Sequence, residues 1–89
     1  MNMKNRDLKE QFIRQFAIPN QKLYKHLLKD CSRYEDKLNK DIYELNEYEM
    51  NKLIDYLRCL NGKNSKRFNI QIATVKNYIN FAKGETIVS

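Results

Sequence analysis

Lys22, Lys25, Lys29 and Arg33 recur at steps of three, four and four residues. On an α-helix this spacing confines them to about one quarter of the circumference. A second group follows at Lys63, Lys66 and Arg67, with Gln71 and Thr74 further along the same segment. Lysine and arginine attract phosphates irrespective of sequence, whereas glutamine and threonine can read base edges. The chemistry suggested is the holding of a nucleic acid. Such residues also cover any solvated helix face, so the sign bias is the informative part. Asp30 and Glu35 fall off the row, and only Asp36 borders it.

Catalytic readings are poorer. A tyrosine nucleophile needs positioned cations around a phosphate transition state. None of the six tyrosines has them, and Tyr24, Tyr34 and Tyr78 read as core or core-edge residues. His26 lies beside the cationic row without an acid–base partner and is expected to be exposed and idle. Cys31, Cys59 and the single histidine lack metal-ligand spacing. Two reduced, mostly buried thiols are the expectation, with a disulfide as the alternative. No catalytic residue, metal, cofactor or small-molecule substrate is expected.

Four helices must position these side chains. The first spans about residues 6–16, capped by Asn5, with Leu8, Phe12, Ile13 and Phe16 inward. Pro19 disfavours helix at Ile18, so Asn20 is expected to cap the second, running to Leu38. Its apolar side holds Leu23, Tyr24, Leu27, Cys31, Tyr34 and Leu38, opposite the cationic row, which Lys40 continues. Residues 41–45 form a connector with room for one short turn. Asn46 and Glu49 then have capping-box spacing, with Leu45 and Met50 as the hydrophobic staple. The third helix begins near Glu47, buries Met50, Leu53, Ile54, Leu57 and Leu60, and stops near Gly62. The fourth covers about residues 65–83, between a Ser65 cap and Gly84. Phe68, Ile72, Val75, Ile79 and Ala82 form its stripe, and Tyr78 and Phe81 widen the apolar arc. A helix so broadly apolar should be central.

Composition agrees with this architecture. The chain has 89 residues, two glycines, one proline and ten Phe or Tyr side chains. That suits one small helical domain, here residues 1–89 with an ordered core at about 6–84. The formal charge of +6 favours a polyanionic partner, and it equally keeps a soluble protein monodisperse. No apolar run approaches the roughly 20 residues that span a bilayer. The N-terminus lacks a secretory apolar core. A cytoplasmic protein without membrane contact is expected.

The run YKHLLKDCSRYEDKLNKDIYELNEYEMNKLIDYL, a basic loop, and then ATVKNYINFAKGE resemble the N-terminal core-binding domain of phage-type integrases, the tyrosine recombinases. KDIYELNEYEMNKLI and VKNYINFAKGE are the most telling segments, and the likeness covers about residues 8–85. The resemblance implies an all-α, SAM-like orthogonal bundle of four helices. It also implies a module that grips double-stranded DNA at a recombination core site, its second and fourth helices toward the duplex. The nucleic-acid-binding set would then be Lys22, Lys25, Lys29, Arg33, Lys63, Lys66, Arg67, Gln71 and Thr74. The family's catalytic arginines, lysine, histidines and tyrosine lie in a separate C-terminal domain, so this chain alone should not cut DNA. The expected partners are DNA, that catalytic domain and other subunits on paired sites. The rival is a helical protein-interaction module docking through Ile70 and Phe81.

Overall fold

The computed structural model describes residues 5–84 and places five α-helices there. They are α1 (Arg6–Ile13), α2 (Ile18–Lys29), α3 (Ser32–Leu38), α4 (Glu47–Asn61) and α5 (Ser65–Ala82), with a 3-10 turn at Ile42–Glu44 before α4. There is no strand among the described residues. The fold is an all-α bundle. Its five helices correspond to the four expected rods, the second being bent into α2 and α3.

Short polar side chains set the boundaries. Asn46 Oδ1 accepts from the Glu49 backbone N–H at 2.8 Å, and Glu49 Oε1 accepts from the Asn46 N–H at 3.0 Å. This is the capping box read from the sequence, and it starts α4. Asp41 and Glu44 repeat the device one element earlier, which fixes the 3-10 turn. At α5 the cap is Asn64, whose side chain accepts from the Arg67 N–H at 3.1 Å, so Ser65 is already the first helical residue. Helix α2 starts earlier than expected, at Ile18 with Ala17 as its cap. Pro19 fits inside the first turn because the N–H it lacks would have had no intrahelical partner there. Helix α1 stops at Ile13 and tightens into i→i+3 bonds at Gln15 and Phe16.

Helix α5 has 18 residues, hence a length of about 27 Å, and the body measures 31 × 28 × 26 Å. It therefore runs the width of the domain, touching α1, α2, α4 and the 3-10 turn. Val75 and Tyr78 join Phe12, Ile13, Leu28, Cys31, Ile42, Leu53 and Leu57 in one core. The Phe12 ring meets Phe16 and Tyr78 edge-on, at 5.2 and 5.6 Å between centroids. Phe81 lies 5.6 Å from the same ring. Phe81 is thus spent on the core, which removes half of the docking patch suggested with Ile70. Leu23 and Leu60, expected inside, are exposed; Leu60 stands at the end of α4, where the apolar stripe runs out of neighbours. Cys31 is buried as expected, while Cys59 is exposed.

Candidate nucleic-acid interface

Lys22, Lys25 and Lys29 stand exposed on one face of α2, and Arg33 is exposed on α3. Their neighbours leave them available: no carboxylate lies within ion-pair distance of any of the four among the described residues. Lys40 does not extend the row. Asn39 turns the chain in the left-handed region at φ 54°, and Lys40 Nζ is held by the Glu49 carboxylate at 2.9 and 3.1 Å. The Asn46 N–H and Lys40 together keep that carboxyl below its ordinary range.

The bend after Lys29 has an identifiable cause. Gln71 Nε2, reaching across from α5, donates to the Leu27 carbonyl at 2.9 Å and to Asp30 Oδ2 at 3.0 Å. In a continuous helix the Leu27 carbonyl would accept from the Cys31 N–H. Displaced, that N–H bonds Leu28 at 3.1 Å instead. A side chain inserted into the ladder bends the helix there. The Gln71 carbonyl oxygen accepts from Asn61 Nδ2 at 2.6 Å. Arg67 completes the junction, with Nη1 on Asn61 Oδ1 at 2.6 Å and Nη2 on Asp30 Oδ2 at 2.9 Å.

Three of the expected DNA contacts change role here. Gln71 is fully buried, its amide used to satisfy the bend, and cannot read a base. Thr74 is buried too, its hydroxyl donating to the Ile70 carbonyl at 2.8 Å. Arg67 is half-buried, its guanidinium fork divided between Asp30 and Asn61. Structurally Arg67 is a rivet. It pins the start of α5 to the end of α2, so Lys63 and Lys66, both exposed and without an ion pair among the described residues, sit beside the same junction as Lys29.

The model of the MrpR N-terminal core-binding domain family matches residues 3–84. The chain belongs to this family. The match is consistent with the core-binding domain of a tyrosine recombinase, a DNA-binding module that is non-catalytic by itself. No curated protein and no solved structure matches the chain.

The core-binding domain also contains a charged cluster that the apolar patterns concealed. Lys9 is fully buried, 2.8 Å from Glu35 Oε2 and 3.2 Å from Asp41 Oδ2, with its ammonium 5.2 Å from the centre of the Tyr78 ring. Tyr78 donates to Asp41 Oδ2 at 2.9 Å, and the Ile42 N–H donates to Glu35 Oε2 at 3.0 Å. Burial pushes the Glu35 carboxyl up to about 7, against the pull of Lys9. Burial beside Asp41 raises the Tyr78 hydroxyl far above its ordinary range. A tyrosine that donates to a carboxylate and resists ionisation is a structural strut, as its core spacing indicates. The signal for this cluster was present: Lys9 shares the spacing of Phe12, Ile13 and Phe16, and Glu35 follows Leu28 and Cys31. His26 is exposed, and no described helix is long and apolar enough to cross a membrane.

Proposed function

We propose that this core-binding domain grips duplex DNA with two cationic segments, Lys22, Lys25, Lys29 and Arg33 on α2–α3 and Lys63 and Lys66 at the start of α5. In a site-specific recombinase of the phage-integrase kind, that grip would hold the recombination core site and position a separate catalytic domain. The observation that carries the reading is the Arg67–Asp30 contact at 2.9 Å, which joins the two segments while their other cations have no ion pair among the described residues. Most of these contacts are to phosphates, so affinity is largely independent of sequence and falls steeply with salt. Six phosphate contacts correspond to a loss of about 10³-fold between 50 and 200 mM salt.

The test is a fluorescence-anisotropy titration of a 20-bp duplex at several salt concentrations. Replacing Lys22, Lys25 and Lys29 together by alanine should reduce the slope of log affinity against log salt by about 2.7. An unchanged slope would place the interface elsewhere on the domain.

A further inference from the structure

With Gln71 and Thr74 buried, the cationic surface lacks its expected readers of sequence. Lysines supply attraction but distinguish bases poorly. One residue on the same face has a different chemistry. Ile18 precedes Lys22, Lys25 and Lys29 at steps of four, three and four, so all four share one side of α2. It is 82% exposed, more than Leu23, Tyr48 or Leu60, the other exposed large apolar residues among those described. A single exposed apolar residue is ordinary. An exposed isoleucine in line with three unpaired lysines, on a braced helix start, is a more specific arrangement.

The bracing is visible. Pro19 fixes the backbone immediately after Ile18, and Gln21 Nε2 ties the first turn to the Phe16 carbonyl at 2.9 Å. Ile18 forms one wall of an open groove of about 480 Å³ between α1 and α2, which Lys22 and Lys25 also line, with Arg14 and, 4.0 Å from it, the Glu10 carboxylate on the α1 side. Cations around an apolar tip suit a partner with negative rails and an apolar feature between them. In B-DNA the major groove admits a helix, residues near a helix N-terminus can reach base edges, and the C5-methyl of thymine is the apolar group displayed there.

We propose that Ile18 is a specificity-determining residue that packs against a thymine methyl in the major groove while Lys22 and Lys25 hold the flanking phosphates. The proposal rests on the DNA-binding reading above. It gives the domain a preference for A·T-containing sites that phosphate contacts cannot supply.

Two 20-bp duplexes, alternating d(A-T) and alternating d(A-U), differ only in the C5-methyls. The full chain should bind the thymine duplex about fourfold more tightly for each methyl contacted. The Ile18→Ala variant should bind d(A-T) more weakly, lose the d(A-T) over d(A-U) preference, and keep the salt slope. Lys22→Ala/Lys25→Ala should lower the slope and keep the preference. No preference in the unaltered chain, or an Ile18→Ala loss equal on both duplexes, overturns the proposal even though duplex binding stands. The second pattern would indicate a sugar contact or a minor-groove wedge, because the minor groove does not display that methyl. Failure of the unaltered chain to bind either duplex at low salt overturns the DNA-binding reading itself. Self-association abolished by Ile18→Ala, with duplex affinity untouched, would assign the residue to a protein interface and overturn the proposal.

Discussion

Replacing Lys9 by methionine keeps the approximate length of the side chain and removes its charge. In the folded domain that leaves Glu35 and Asp41 buried without the cation they share at 2.8 and 3.2 Å. Removing one partner of a buried pair costs about 3–5 kcal/mol. Here one cation serves two carboxylates, so about 5 kcal/mol is expected at pH 8. A domain of this size has about 4–12 kcal/mol in total, so the variant should keep about 7 kcal/mol at most and unfold outright at pH 8 only where the starting stability lies below about 5 kcal/mol.

The penalty should shrink in acid. Without Lys9, which pulls it down, burial holds the Glu35 carboxyl of the folded state still further above its unfolded value. Raised carboxylate pKa values favour the folded state fully below the unfolded pKa, and the benefit is lost as pH rises through the folded one. The Lys9→Met cost should therefore be about 1–2 kcal/mol near pH 4, mainly lost hydrogen bonds, and grow toward pH 8. The unaltered domain carries a milder form of this dependence. Its Glu35 sits at about 7 against an ordinary 4.5, so that contribution is complete below 4.5 and gone once pH passes 7. Urea unfolding followed by far-UV circular dichroism at pH 4, 5, 6, 7 and 8 measures both curves. A Lys9→Met cost below about 1 kcal/mol at pH 8, or one that does not change with pH, would refute the reasoning.

Three further outcomes follow from the geometry. Gln71→Ala should cost about 1–3 kcal/mol in urea unfolding, because it leaves the Leu27 carbonyl only a weak contact from the Cys31 thiol at 3.9 Å and takes one donor from Asp30. Asn46→Ala should cost about 1 kcal/mol in the same assay, through loss of the α4 cap. Cys59, exposed, should react with a thiol reagent in the native domain, whereas Cys31 should react only on unfolding. Burial, reinforced by Glu35 and Asp30, holds the Cys31 thiol in its protonated, unreactive form. Time-resolved labelling with mass spectrometry separates the two sites.

The sequence disclosed those features that follow from local rules. The Asn46–Glu49 box, the short turn before it and the centrality of α5 depend on nearby residues and on helical period, so they could be read directly. The partners of Gln71 and Lys9 could not. Gln71 looks like a surface amide because its partners, Leu27 and Asp30, lie 44 and 41 residues away. Lys9 looks like one more surface cation because its partners are 26 and 32 residues distant. Long-range polar pairing leaves no periodic trace beyond a charged residue at an apolar position. The lysines at 22, 25 and 29 stayed exposed because no other element covers the α2 face they occupy, which α1 borders only across an open groove. Arg67 was diverted because the bend brings Asp30 within its reach.

The shared cation also has a consequence for the order of assembly. Helix α1 brings Lys9 to acceptors that come from α3 and the segment before α4, so its docking joins parts of the chain 26 and 32 residues apart. If α1 docks after those acceptors are in place, loosening it should chiefly accelerate unfolding rather than slow the initial collapse. The lifetime of the native state, as well as its equilibrium population, is thereby tied to one ammonium group.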